Sequence, residues 1–125
     1  MREIKFRAWV SKAKLMLRVT DIDFEDKSIG CKDNATQWND YEYLIMQYTG
    51  LKDKNGVEIY EGDVVTLRGQ AQGTNKGVVI FSPSATKFAV RVRRNGYRKN
   101  ETHLVSLLKC KVIGNTHENP ELMKE

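Results

Sequence analysis

Apolar and polar residues alternate with a period of two in the first part of the chain, which is typical of strands with one buried face. In EIKFRAWV (residues 3–10), every second residue starting with Ile4 is apolar. LMLRVTDIDFE (residues 15–25) repeats the pattern with a slip near Thr20. The two segments predict an N-terminal β-hairpin, and KSIGCKDN (residues 27–34) predicts a further short strand.

In the segment QWNDYEYLIMQYTG (residues 37–50), the apolar residues fit both a helical and a strand spacing. We expect a short helix or irregular turn at about Trp38 to Tyr43, followed by a strand that ends at about Tyr48.

Two turns enclose a short strand in the middle of the chain. DKNG (residues 53–56) predicts a tight turn, because Asn and Gly adopt positive φ at little cost. In EGD (residues 61–63), we expect Gly62 to supply a backbone angle that a side chain would oppose and Asp63 to accept hydrogen bonds from the turn. VEIY before this corner and VVTLR after it therefore read as strands, and glycine corners of this kind are typical of small barrels.

The second half continues with short strands between turns. GQAQGTNKG (residues 69–77) predicts a polar loop, VVIF (residues 78–81) a buried strand, FAVRVRR (residues 88–94) a half-buried strand, and THLVSLLKCKVIG (residues 102–114) one or two final strands. ENPELM predicts a terminal helical turn, with Asn119 as its N-cap and Pro120 at its first position.

These elements predict a mainly β protein with little helix. We expect one domain of 125 residues: a small SH3-like or related antiparallel β-barrel at 58–114, an N-terminal hairpin and connecting segment at 1–57, and a C-terminal turn and tail at 115–125.

The chain has no apolar stretch of the roughly 18 residues that a membrane span needs, so we expect no membrane contact. Its N-terminal segment lacks the apolar core of a signal peptide, which predicts a cytoplasmic protein. In that reducing compartment Cys31 and Cys110 are expected to be free thiols.

The formal net charge of +5 is unevenly distributed. Residues 64–111 contain ten Lys and Arg against the single acid Glu101, whereas residues 21–62 contain ten acids against four bases. Such asymmetry predicts either a face for polyanions or a basic surface that the acidic segment covers, within the chain or across a dimer.

Three motifs suggest a family. REIKFRAWV, QYTGLKDKNGVEIYEGDVV and VIGNTHENPEL occur in this order and together resemble the YopX family of phage and prophage proteins. Val10 departs from the family pattern, which usually has an acidic residue after the tryptophan. The resemblance implies a small, largely β protein of a bacteriophage or integrated prophage, in the cytoplasm of a bacterial host. It carries over no catalytic residue.

A basic strand and its flanking loops form the candidate nucleic-acid surface. If Arg91 and Arg93 share a strand face, each guanidinium could engage a phosphate while Tyr97 stacks on a base of DNA or RNA. The competing interpretation is a solvated face on which arginine stems cover apolar neighbours. The candidate residues are Arg68, Lys76, Lys87, Arg91, Arg93, Arg94, Tyr97, Arg98 and Lys99.

Aromatic residues near the middle of the chain suggest a second surface. Trp38, Tyr41 and Tyr43 are candidates for a partner interface, since interfaces favour exposed aromatics. The partner would be a second copy of the chain or a phage or host protein.

No segment matches a metal-binding or phosphate-binding motif in full. DIDFED (residues 21–26) resembles the start of a calcium loop, but strand alternation with Ile22 and Phe24 inward explains it more simply. The loop at 69–77 lacks the Gly-Lys-Ser/Thr triplet of a phosphate-binding loop and precedes a strand.

His103, His117 and Cys110 stand in no recognisable nucleophile motif. We therefore expect no enzyme, metal or cofactor. The leading hypothesis is a non-catalytic binding module that contacts nucleic acid, and the alternative is a protein-interaction adaptor or homo-oligomeric structural protein.

Overall fold

The computed structural model of the protein describes residues 3–31, 34–39, 43–67, 75–84, 86–92, 102–103 and 110–123. The chain divides into an N-terminal unit, Met1–Tyr48, and a C-terminal unit, Thr49–Glu125, so the division falls inside a strand. In the described part of the chain, no helix has the length and apolar character required to cross a membrane.

The N-terminal unit is an antiparallel sheet. The strands are β1 (Phe6–Val10), β2 (Leu15–Asp23), β3 (Ser28–Cys31), β4 (Asn34–Asn39) and the first part of β5 (Leu44–Lys52), in the order β4-β3-β2-β1-β5. Ala8 pairs with Leu17 on one side and Ile45 on the other, which places these side chains on one face. That face holds the core of the unit: Ala8, Val10, Leu17, Ile29 and Cys31, with Val19, Ile22, Tyr43 and Ile45 packed against them.

The C-terminal unit contains the remaining strands. They are β6 (Glu58–Tyr60), β7 (Asp63–Leu67), β8 (Asn75–Ser82), β9 (Lys87–Val92), β10 (Thr102–His103) and β11 (Lys111–Asn115), followed by a 3₁₀ helix at Pro120–Met123. A five-stranded antiparallel sheet has the order β10-β9-β8-β7-β11, and β6 lies beside the second part of β5.

The five-stranded sheet has two different faces. Val65, Val79 and Val90 belong to a buried cluster with Ile59 and Cys110, and this side is called the core face. Residues one position away point to the opposite side, called the outer face.

The 3₁₀ helix packs on one end of the outer face. A Cβ on Gly114 would lie 2.6 Å from Asn119 Oδ1 and 2.7 Å from Leu122 Cδ1, so only glycine admits the helix this closely. Gly114 pairs with Val64, whose neighbour Val65 belongs to the core face. The helix therefore covers the outer face near β11 and β7.

The prediction of a mainly antiparallel β protein is confirmed, and the β1–β2 register confirms the N-terminal hairpin. In place of the predicted SH3-like barrel, the strands that the structure describes form two sheets that do not close on themselves. β8 begins at Asn75, inside the predicted loop at 69–77, while residues 69–74 lie outside the described residues.

Two local predictions are wrong. Trp38 and Asn39 belong to a strand rather than a helix or turn, because β4 pairs with Ile29 and Ser28 of β3. Residues 40–42 lie outside the described part. Phe24 is not buried but 83% exposed, because the chain turns directly after Asp23 and the strand alternation ends there.

Two valines of unequal burial test the assignment of the core face through their effect on stability. Val79 is 1% exposed and Val57 is 47% exposed. Val79→Ala removes two buried methyl groups and leaves a cavity, so we expect the free energy of unfolding to fall by about 2 kcal/mol. Val57→Ala is the matched control and should change it by less than about 0.5 kcal/mol.

Urea unfolding at neutral pH measures both variants. Equal destabilisation by the two substitutions would contradict the assignment of the core face.

Candidate nucleic-acid interface

The Asp53 carboxylate is the centre of a buried polar cluster in the C-terminal unit. Its Oδ1 accepts hydrogen bonds from the backbone N–H groups of Asn55 (2.8 Å) and Val57 (2.9 Å). Its Oδ2 accepts from the N–H of Val112 in β11 at 2.9 Å. The turn at 53–57 is thereby joined to a strand more than fifty residues away, and Gly56 in this turn has φ of 85°.

The pKa of Asp53 reflects opposing effects. Burial raises the pKa. The three backbone N–H bonds and the positive charge of Lys111 lower it by more than burial raises it, so the pKa lies below its ordinary value. The carboxylate is therefore ionised at neutral pH, and its hydrogen bonds are made by the charged form.

Cys110 lies in the buried core cluster beside this carboxylate. Burial and then the charge of Asp53 raise the pKa of the Cys110 thiol to about 11. The thiol stays protonated at neutral pH, whereas a nucleophilic cysteine needs its thiolate. The position is suited to packing and unsuited to nucleophilic chemistry.

The corner between β6 and β7 has the predicted backbone angle at Gly62 and the predicted hydrogen bond to Asp63. Gly62 has φ of 86°, and its N–H donates to the carbonyl of Val79 at 2.8 Å. Asp63 Oδ2 accepts from the N–H of Tyr60 at 2.8 Å, which closes the turn. The two predictions for Gly62 and Asp63 are confirmed.

The turn after β11 is built on Asn115, which is buried. Asn115 Oδ1 accepts from the N–H groups of His117 (3.0 Å) and Glu118 (2.8 Å). Its Nδ2 donates to Glu118 Oε1 at 2.8 Å, so both ends of the amide form hydrogen bonds within the turn.

Asn119 occupies the predicted N-cap position and Pro120 begins the helix, but the Asn119 side chain does not cap it. Its Oδ1 accepts from the N–H of Asn115 at 3.2 Å, and the N–H of Leu122 donates to the backbone carbonyl of Asn119 instead. The side chain is directed backwards because Asn115 begins the turn and leaves an N–H that needs an acceptor.

The outer face of β8 and β9 carries the described part of the candidate nucleic-acid surface. Lys87 and Arg91 are exposed and lie four residues apart on β9, so both project to the same side. Among the described residues, neither forms an ion pair or side-chain hydrogen bond. Arg68, Arg93, Arg94, Tyr97, Arg98 and Lys99 lie outside the described residues.

Lys76 is placed differently from the other two cations. Its Nζ donates to the carbonyl of Leu122 at 2.6 Å, at the end of the 3₁₀ helix. This contact fastens the C-terminal helix to β8. The sequence therefore identified Lys76 as basic and near the surface but missed its structural role.

Between Lys87 and Arg91 the outer face is apolar. Val78 pairs with Arg91 and Ile80 with Ala89, and both β8 side chains are half-buried, whereas Ala89 is buried. At a strand rise of about 3.3 Å per residue, the two cations are separated by roughly 13 Å along the strand. We call this surface, formed by Val78, Ile80, Lys87, Ala89 and Arg91, the basic face.

The predicted partner residues do not form a described cluster. Tyr43 is half-buried and packs against the core of the N-terminal unit. Trp38 lies in β4, but its side chain is outside the described part, as is Tyr41 entirely.

The other chemical candidates have local roles or no described role. Asp23 Oδ1 accepts from the N–H groups of Glu25 (3.0 Å) and Asp26 (2.9 Å), which forms the turn of the β2–β3 hairpin. No cluster of three or more His, Cys, Asp or Glu able to hold a metal occurs among the described residues. His117 lies in the turn after β11, and His103 lies in β10.

Sequence reasoning did not single out Asp53 as a buried carboxylate. The signal was available in DKNG, because an Asp at the start of a turn commonly accepts from N–H groups two residues later. Its bond to Val112 carries no local signal, since the two residues meet only in the folded chain.

The comparisons with known proteins agree with the fold. The family model described as YopX protein matches residues 5–124. The crystal structure of protein EF1440 from Enterococcus faecalis is similar at a TM-score of 0.67 and 30% identity, over 99% of this chain and 100% of that chain. None of the curated proteins compared with the chain matches it.

The Asp53 cluster predicts a pH-dependent loss of stability. Asp53→Asn keeps one acceptor oxygen but replaces the other with an NH₂ group, so a buried N–H group loses its acceptor. We expect the free energy of unfolding at pH 7 to fall by roughly 1–3 kcal/mol.

Because the folded-state pKa of Asp53 is lowered, the contribution of its charge is present above the unfolded pKa and is lost as pH falls through the folded pKa. The difference between wild type and Asp53→Asn should therefore shrink in urea titrations below about pH 4. Asp26→Asn, at an exposed acid, is the control. A difference that is constant between neutral and acidic pH would contradict this role for the charge.

Proposed function

The chain belongs to the YopX family, and we propose that it is a non-catalytic binding module that contacts nucleic acid through the basic face of β8 and β9. The observation that supports this proposal most directly is the pair Lys87 and Arg91, exposed on one side of one strand with no described anionic partner. Membership of the family supplies the fold but no ligand.

The chemistry of the pair suits a phosphate backbone. Lys and Arg contact phosphate oxygens without reading sequence, and a separation of roughly 13 Å lets them reach different phosphates of one strand. The surrounding sequence adds to this positive potential, since residues 64–111 contain ten basic residues and one acid. A surface of one sign attracts polyanions over a distance of about 10 Å at moderate salt.

Lys76 is not part of this proposal, because its ammonium group donates to the Leu122 carbonyl. The proposed contact therefore involves the exposed side chains of Lys87 and Arg91 on β9. The candidate arginines beyond β9 would extend the surface and stay predictions.

The proposal of a non-catalytic module rests on the roles of the reactive groups described above. Asp53 and Asp63 accept backbone hydrogen bonds, and the Cys110 thiol is buried and protonated. These groups stabilise turns and the core, which leaves them unsuited to act on a substrate. A phage or prophage origin and a cytoplasmic location also stay predictions.

The test is fluorescence anisotropy with labelled single-stranded and double-stranded DNA and RNA, titrated across salt concentration. Binding through phosphates gives an affinity that falls linearly with the logarithm of salt. In Lys87→Ala/Arg91→Ala, the loss of two phosphate contacts should reduce the slope for a single strand by about 1.4.

The matched control is Arg18→Ala/Lys52→Ala, which removes one exposed arginine and one exposed lysine from other strands. Its net charge equals that of the test variant, so a general charge effect would reduce the slope equally in both. Equal slopes in the two variants, or no binding by wild type at low salt, would overturn the proposal.

A further inference from the structure

Phe24 is the most exposed large apolar residue of the described chain, at 83%. It occupies the turn between β2 and β3, whose ends are fixed by the pairing of Asp23 with Ser28. Asp23 Oδ1 holds the turn by accepting from the N–H groups of Glu25 and Asp26, and Lys27 adopts φ of 56°. The aromatic ring is thus presented to solvent by a turn of defined geometry.

The charges around this ring are mostly negative. Asp21, Asp23, Glu25 and Asp26 are exposed, and Lys27 is the only exposed cation in residues 21–27, which gives a formal charge of −3. We call residues 21–27 the acidic tip. An exposed aromatic residue surrounded by carboxylates fits a surface that offers both apolar area and positive charge.

The basic face of the same protein has these two properties. Its middle is apolar, formed by Val78 and Ile80, and its two ends are the cations Lys87 and Arg91. Ala89 is buried, so the apolar area that an aromatic ring could contact between the cations is the exposed part of the half-buried Val78 and Ile80. Arg91 can also interact with the face of such a ring.

We propose that the acidic tip of one copy binds the basic face of a second copy, with Phe24 as the apolar anchor. The charge complementarity of the two surfaces selects this occupant, because the net charge of +5 otherwise makes two copies repel. Two reciprocal contacts of this kind close a two-fold dimer, while single contacts propagate an open chain of molecules.

This inference goes beyond the proposed function and does not depend on nucleic-acid binding. If both hold, phosphates and the acidic tip compete for Lys87 and Arg91. The surface offered by a single hairpin turn is well below the roughly 1,200 Å² of a stable interface, so the association is weak and decreases with salt.

The first experiment is sedimentation velocity of the full chain at low salt, up to about 1 mM protein, the range in which weak contacts are populated. The weight-average sedimentation coefficient of wild type should rise with concentration. Phe24→Ala should lower the association constant at least about tenfold, as truncation of an anchor residue does. Ile4→Ala, at an apolar residue that is 70% exposed in the same unit, is the control and should associate like wild type.

The second experiment reverses charges on each surface in turn. Glu25→Lys/Asp26→Lys makes the tip basic, and Lys87→Glu/Arg91→Glu makes the face acidic. Each variant alone should be monomeric, because its two surfaces then carry like charges. An equal mixture should associate again, because the basic tip of one variant fits the acidic face of the other.

Circular dichroism of each variant confirms that it is folded. A wild type that stays monomeric at the highest concentration, an unchanged association constant for Phe24→Ala, or a mixture that fails to associate would each overturn the inference. Anisotropy with oligonucleotides measures the proposed function separately, so either proposal can fail while the other stands.

Discussion

The hydrogen bonds of the Asp53 carboxylate connect the turn at 53–57 to strand β11 of the C-terminal unit. Strand β11 lies at the edge of its sheet, and an edge strand leaves backbone N–H groups without strand partners. Asp53 accepts the N–H of Val112 in β11, and the N–H of Lys54 donates to the carbonyl of Cys110 at 3.3 Å. The turn at 53–57 thus forms hydrogen bonds with backbone groups at the start of β11. The Asp53 carboxylate also stabilises the turn itself through the N–H groups of Asn55 and Val57. A charged acceptor is suited to this position because hydrogen bonds to charged groups are stronger than neutral ones.

The sequence predicted the elements whose causes are local. Gly62 and Asp63 define a corner because their conformational freedom and short side chain act within a few residues, and the alternation in β1 and β2 reports directly on a buried face. A short helix or irregular turn is predicted at Trp38 because the local spacing fits both a helix and a strand. Pairing with β3 makes this segment a strand. The Val112 bond to Asp53 and the Lys76 bond to Leu122 join residues distant in sequence, so no local pattern predicts them.

The outer face of the five-stranded sheet is used in two ways along its length. At β11 and β7 it receives the 3₁₀ helix, where Gly114 permits close approach and Lys76 holds the helix end. Along β9 the described outer face has apolar residues between the two exposed cations Lys87 and Arg91. Exposed charges interact weakly through water, so Lys87 and Arg91 contribute little to stability.

The sequence motifs supply many of the residues that hold turns and strand edges. In the described chain, the central motif supplies Asp53, Gly62 and Asp63, and the C-terminal motif supplies Asn115 and Asn119, all of which hold turns or strand edges. Phe24, Lys87 and Arg91 lie between the motifs and contribute to none of these contacts. These motif residues form hydrogen bonds that define turns and strand edges. Similarity to other proteins in the motifs therefore indicates a shared fold. The segments between the motifs supply the exposed Phe24, Lys87 and Arg91, but also Asp23, which holds a turn, and Lys76, which holds the C-terminal helix.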